Sequence, residues 1–498
     1  MGNKKSHFDL KSLLKNPELL IDKAYVEGKW INSNKYETFS VSNPATGQEI
    51  VKLPNLGINE TKKAIEKAYE IQKIWAAETA KHRSEILRKF FNLMLDNIDD
   101  LAQILTAEMG KPLAEARGEI LYGASFIEWF SEEAKRVYGD LIPGHQVDKR
   151  ISVIKQPIGV VASITPWNFP NAMIARKIGP ALAVGCSFVS KPADETPLSA
   201  LAMAYLGEKA GVPPGLFSVI TSKKASIIGK EMCSNDKVRK LTFTGSTEVG
   251  KILLEQGAKN VQKMSMELGG NAPFIVFDDA DIDAAVNGAL ISKYRNNGQT
   301  CVCANRIYVH DNVYNEFSKK LVDAVKKMNV GNGIDDNVNL GPLISEEAII
   351  KVQKHVKDAV EKGAKIELGG KPHKLGGTFF EPTVLTNVKN NMLIKSEETF
   401  GPVAPLFKFK DEEEAISLAN DTIFGLAAYF YSRDVKRITK VSEQLEFGIV
   451  GVNTGIISTE VAPFGGVKQS GVGREGSKYG IDDYLEIKYV CLSLDYKD

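Results

Sequence analysis

GVVASITPWNFP, residues 159–170, decides the fold. A short apolar run, 159–164, is followed by a turn with Pro166 and Pro170 on either side of Asn168, and then by a helical pattern. The order recurs: the apolar runs 187–189 and 241–243 are also followed by a turn and a helical pattern. Such runs suit strands buried on both faces of a parallel sheet, with helices as the crossovers. Helical spacing is explicit at Ala64, Ile65, Ala68, Ile71 and Trp75, and again at Ile86, Leu87, Phe90, Phe91 and Leu95. Strands alternating with helices predict an α/β fold.

Composition limits what the fold can serve. The chain has 498 residues, 43% apolar and 25% charged, enough for a large core in two or three domains. With 63 basic against 62 acidic residues, the net charge of +1 offers no general field for nucleic acid or an anionic membrane. A small-molecule partner is expected. Five cysteines are too few and too scattered for a disulfide framework, which predicts a reducing, cytoplasmic setting. The apolar stretch 178–189 falls short of the roughly 18 residues that cross a bilayer. The opening MGNKKSHFDL reads as neither a secretory signal nor a transit peptide, although Gly2 and Ser6 formally match a myristoylation pattern. No internal repeat or low-complexity linker divides the chain. Near the end, Leu485, Ile487 and Tyr489 alternate with Glu486 and Lys488, a half-buried strand that either edges its own domain or pairs with another subunit.

Four segments can carry chemistry. NNGQTCVCAN, residues 296–305, sets Cys301 in a small polar loop, the partial exposure that a reactive thiol needs. A lone C-x-C, Cys301 and Cys303, is a poor metal signature. In MELGGN, 266–271, Glu267 stands among small and apolar residues, where desolvation raises a carboxyl towards the range of a general base; the alternative is an ordinary glutamate at a strand end. In TPWNFP the stiff turn can hold the Asn168 amide as a fixed donor to a developing oxyanion, or simply end a strand. FTGSTEVG, 243–250, runs from a strand end into a helix whose first N–H groups could bind a pyrophosphate, although it matches neither G-x-G-x-x-G nor the Walker pattern.

Together, TPWNFP, KPADETP, FTGSTEVG, MELGGN, GQTCVC, EETFGP and PFGGVKQSG occur in an order that resembles the aldehyde dehydrogenase family from about residue 24 to the C-terminus. YRNNGQTCVCANR and GIISTEVAPFGGVKQSG are most similar to its succinate-semialdehyde branch. The resemblance implies that Cys301 attacks the aldehyde, that Asn168 and the Cys301 N–H hold the oxyanion, and that Glu267 activates the water that hydrolyses the thioester. It implies a dinucleotide held by Thr165, Trp167, Lys191, Asp194, Gly245, Ser246, Glu398 and Phe400. Asp194 would repel a 2′-phosphate, so NAD is preferred; because aspartate is one methylene shorter than the usual glutamate, NADP is the second choice. The branch further implies that Arg176, Arg295 and Ser458 bind a distal carboxylate, whereas taken alone both arginines read as solvated helix residues. Cys303 is a candidate redox switch with Cys301, or a packing residue.

The fold implied comprises a dinucleotide-binding domain from 1–138 and 160–270, a catalytic domain at 271–470 with a return segment 471–484, and an oligomerisation arm from 139–159 and 485–498. Such an arm predicts a homodimer or homotetramer. The nearest alternative substrate is glutarate semialdehyde or another ω-carboxyl aldehyde, and the alternative outside redox chemistry is a thiol esterase.

Overall fold

A computed structural model of the chain describes residues 9–494, so Gly2, Ser6 and most of the opening segment lie outside the described residues. The quoted stretch forms the strand Val160–Thr165, a turn, and the helix Ala172–Val184. The strand is the middle of an eight-stranded sheet. Five strands run parallel: Lys263–Glu267, Val238–Thr244, Val160–Thr165, Ser187–Pro192 and Phe217–Val219. Ala24–Val26 and Lys29–Ile31 add antiparallel strands at one edge, and Gly471–Val472 adds one at the other. Ser187–Pro192 is buried throughout and Val160–Thr165 almost so, which is why neither shows the polar-apolar alternation of a half-exposed strand. Every residue of Ala172–Val184 is buried, and the helix ends at Gly185 with φ 103°, a left-handed position that glycine adopts without strain. The helix Ile58–Ala77 packs across the same layer, where Trp75 Nε1 donates to the Leu182 carbonyl at 2.9 Å.

A second sheet of seven strands begins directly after Glu267. Its parallel strands are Thr383–Thr386, Val403–Phe409, Ala304–His310, Ala272–Val276, Ala427–Tyr431 and Ile449–Val452, with Lys365–Leu368 antiparallel at the edge. Thr165, Thr244 and Glu267 end strands of the first sheet, and Cys301 precedes a strand of the second. The candidate residues therefore gather at the carboxyl ends of the first sheet, where open α/β sheets bind ligands.

The C-terminal strand Leu485–Ser493 pairs antiparallel with Lys149–Pro157, which also pairs with Asp140–Ile142. Its alternation does not mark a half-buried face: in the single chain only Leu485 is buried and the other eight residues are exposed. Leu485 joins the main core at the base of the sheet, while the remainder of the strand extends away from it in the single chain. All five cysteines are free thiols. Among the described residues no helix is long and apolar enough to cross a membrane.

Candidate active site

Two loops face each other. The turn after Val160–Thr165 carries Asn168, whose side-chain amide donates to the Gln299 carbonyl at 3.0 Å. The loop between Ile282–Tyr294 and Ala304–His310 carries Cys301 and is folded tightly on itself. Asn296 and Asn297 sit at φ 51° and 57°, and Gly298 follows at 75°. Asparagine tolerates this left-handed backbone better than most residues, which accounts for its use here. At Gly298 a Cβ would lie 2.2 Å from the Gly401 carbonyl oxygen, so only glycine fits. Gln299 donates to Asn296 O at 3.1 Å and accepts from Ile344 N at 3.0 Å, and Tyr429 Oη donates to Val302 O at 2.8 Å. Cys301 is thereby held at a fixed height, half-buried.

Both loops open onto one cavity of about 380 Å³. Of the residues expected from the sequence, Trp167, Asn168, Arg176, Gly245, Ser246, Arg295, Cys301, Glu398, Phe400 and Ser458 all line it. Glu267 stands behind the wall, buried, with Oε2 lacking a hydrogen-bond partner. Cys303 is buried away from the cavity, and its thiol donates to Lys293 O at 3.4 Å. Lys191, Asp194 and Thr165 lie outside the lining.

The charges around Glu267 set its behaviour. Burial pushes its carboxyl well above the ordinary carboxylate range, and the nearby Glu475 pushes it further, against Arg176 and Lys177. Burial opposes the charge on Glu475 itself, but Lys177 and Arg176 outweigh it and keep that carboxylate ionised. Arg176 meets Glu475 at 2.5 Å, and Lys177 bonds both Glu475 and Thr244 Oγ1. Burial raises the Cys301 thiol to about 12, opposed by Arg176 and Arg295. A thiol on the same cavity as a fixed amide donor, with a buried carboxyl of raised proton affinity behind it, suits attack on a carbonyl followed by base-assisted hydrolysis.

The aldehyde dehydrogenase family profile matches residues 30–490. The chain belongs to the aldehyde dehydrogenase family. This dehydrogenase is 63% identical to a glutarate-semialdehyde dehydrogenase of Pseudomonas aeruginosa, over 96% of this chain and 99% of the other. It is 60% identical to an Escherichia coli succinate-semialdehyde dehydrogenase whose name specifies NADP(+), over 97% of this chain and 100% of the other. The crystal structure of a succinate-semialdehyde dehydrogenase from Burkholderia pseudomallei superposes with a TM-score of 0.95 at 60% identity, covering 97% of this chain and 100% of that one.

A nicotinamide dinucleotide fits the residues of this dehydrogenase. Lys191 is almost sealed from solvent, and Asp194 stands 3.9 Å from its ammonium group. Glu398 accepts from Gly270 N at 3.0 Å with one oxygen, and burial raises its carboxyl to about 7. Phe400 holds a left-handed φ of 54° and meets the Trp167 ring edge-on at 5.5 Å, a strained backbone kept at a functional surface. The Thr165 hydroxyl is buried without a partner.

Sequence reasoning missed Glu475, Lys177 and Tyr122. Glu475 and Lys177 resemble ordinary surface charges until distant segments are brought together. Tyr122 lines the cavity with its hydroxyl buried and unpartnered, between the fields of Arg176 and Arg295, while Phe126 packs against its ring edge-on at 4.9 Å.

Proposed function

We propose that this dehydrogenase oxidises a semialdehyde bearing a distal carboxylate, succinate semialdehyde first, to the corresponding dicarboxylate with NAD. The observation that carries this reading is the placement of Arg176, Arg295 and Ser458 on the same cavity wall system as Cys301 and Asn168. Two guanidinium groups lining the same cavity as Cys301 suit a short substrate that is anionic at the end remote from its aldehyde. The names of the curated relatives, one for the succinate and one for the glutarate substrate, support the same class.

In this reading the Cys301 thiol gives its proton to solvent as Sγ attacks the carbonyl carbon, and the oxygen accepts hydrogen bonds from Asn168 Nδ2 and the Cys301 N–H. When bound, the dinucleotide supplies the hydride acceptor. Lys191 and Glu398 hold its riboses, and Gly245 and Ser246 leave space beside the helix start Thr247–Ala258 for its phosphates. Deacylation requires Glu267 to turn from its buried site towards the Cys301 thioester and take a proton from water.

Arg176 is partly committed to Glu475, so Arg295 carries the larger share of carboxylate binding. Arg295→Ala is expected to lower kcat/KM for succinate semialdehyde by about 10- to 100-fold, the worth of one charged hydrogen bond, and to leave an uncharged aldehyde within a few-fold. Steady-state rates on both substrates check this. Equal losses on the two would assign Arg295 to structure. The direct test of the reading is production of reduced cofactor with succinate semialdehyde, glutarate semialdehyde and uncharged aldehydes, each with NAD and with NADP. A preference for uncharged aldehydes sinks it, a preference for the five-carbon substrate redirects it by one methylene, and cleavage of esters without any cofactor reduction would favour the thiol esterase.

The preference for NAD rests on the Asp194 carboxylate beside Lys191, which repels a 2′-phosphate; the NADP(+) in the name of the Escherichia coli relative favours the other choice. Asp194→Ser is expected to raise the NADP-to-NAD ratio of kcat/KM by about tenfold, the scale of one lost repulsion near a surface. An unchanged ratio removes Asp194 from the adenosine site.

The proposed domains are those expected from the sequence, 1–138 with 160–270, 271–470, and 139–159 with 485–498. Leu141, Ile487, Tyr489 and Leu492 are exposed on the three-stranded sheet, which supports its use as an arm in a dimer or a dimer of dimers. The free thiols support a reducing, cytoplasmic location.

A further inference from the structure

Lys111, Glu115 and Glu119, at the start of the helix Leu113–Glu133, do not line the cavity, yet they hold both of its working loops. Lys111 and Glu119 form an ion pair at 2.6 Å with side chains 1% and 0% exposed. Lys111 Nζ also donates to the Asn168 carbonyl at 2.7 Å. Glu119 Oε1 accepts from Asn171 N at 3.0 Å and Ala172 N at 3.2 Å. One buried pair therefore grips the oxyanion turn at both ends. Glu115 Oε2 accepts from Asn296 N at 2.7 Å, within the left-handed segment that leads to Cys301. Asn296 Nδ2 in turn donates to Asn168 O at 3.0 Å, so that carbonyl is shared between Lys111 and the nucleophile loop.

The surrounding packing leaves little slack. Lys111 Nζ lies 3.7 Å from the centre of the Phe169 ring, and Arg295 approaches the same ring at 5.3 Å. A Cβ on Gly123 would lie 2.2 Å from Asn171 Oδ1 and 3.4 Å from Ala172 Cα, so the helix lies close against the turn. Buried ion pairs are poor stabilisers, since apolar residues of similar volume often serve the fold as well or better. Their value lies in fixing geometry, and here every bond ends on a loop that carries a reacting group.

We propose that Lys111, Glu115 and Glu119 form a positioning clamp that sets the Asn168 amide against Cys301. The clamp rests on the reading of those two residues as oxyanion donor and nucleophile. It acts on the first chemical step, because a donor displaced by about 1 Å from the developing oxyanion costs about 100-fold in rate.

The test compares wild type with Lys111→Met, Lys111→Arg, Glu119→Gln and the double variant Lys111→Met/Glu119→Gln. First-turnover formation of reduced cofactor is followed by stopped flow at saturating aldehyde, alongside cofactor affinity and melting temperature. Lys111→Met is expected to slow the first turnover by about 10- to 100-fold with cofactor affinity unchanged within twofold, and Lys111→Arg to recover part of the loss. The double variant removes both charges, so its melting temperature is expected to recover while its first turnover stays slow. If Lys111→Met does not fold, the double variant and Glu119→Gln carry the comparison. First turnovers within twofold of wild type in the folded variants, or a rate restored in step with melting temperature in the double variant, would overturn the clamp. A wild type that reduces no cofactor would instead overturn the underlying oxidation reading.

Discussion

Replacing Cys301 by alanine is expected to reduce aldehyde oxidation by at least about 10,000-fold, because among the described residues no other thiol lines the cavity to carry the covalent route. Cys303, two residues away, cannot substitute: it is buried outside the cavity with its thiol on the Lys293 carbonyl. The same placement bears on a switch through a Cys301–Cys303 disulfide, which would first have to withdraw Cys303 from that position. The loop should keep its shape in the variant. Its folding is set by Asn296, Asn297 and Gly298 in left-handed backbone and by the bonds of Gln299, none of which uses the thiol. Dinucleotide affinity is therefore expected to stay within about twofold, since Lys191, Glu398 and the start of Thr247–Ala258 stand on other elements. Steady-state rates with fluorescence titration of the cofactor check both halves. Oxidation near the wild-type rate would sink the covalent mechanism, whereas joint loss of oxidation and cofactor affinity would assign Cys301 to structure.

The parts of this enzyme legible in its sequence are those whose signal is local. Buried parallel strands announce themselves because both faces are apolar, as in residues 159–164 and 187–189, and turn residues mark where they end. Asn168, Glu267 and Cys301 each stand in a short segment whose composition is odd for a surface loop. Lys111, Glu115 and Glu119 had no such mark: in GKPLAEARGE they look like a solvated helix face, and only the fold brings the oxyanion turn onto them. Arg176 illustrates the converse. Its expected role at a substrate carboxylate comes from the family resemblance alone, and its partner Glu475 comes from a segment that returns to the first sheet from the far end. The C-terminal strand forms where its alternation predicts, but a face proposed to meet another subunit has no partner within one chain to bury it.

Glu267→Gln is expected to lower steady-state turnover by about 100- to 10,000-fold, the range of a lost general base, while leaving a first turnover of about one reduced cofactor per competent site. Glutamine matches glutamate in shape and in the neutral charge that the buried carboxyl favours, so the cavity wall should survive. The sign with pH follows from the raised carboxyl. Glu267 can accept a proton only when ionised, so wild-type turnover should rise with pH along a limb lying above the ordinary glutamate value of about 4.3. That limb should vanish in the variant. Stability runs the opposite way: an acid whose folded pKa is raised holds more protons folded than unfolded between the two values, so its burial destabilises increasingly as pH climbs. At pH 8 the variant should therefore melt no lower than wild type. Stopped-flow and steady-state rates across pH, paired with thermal melts, test the whole argument. If the first turnover falls as far as the steady state, Glu267 acts before the thioester forms, taking the proton from the Cys301 thiol that burial holds at about 12.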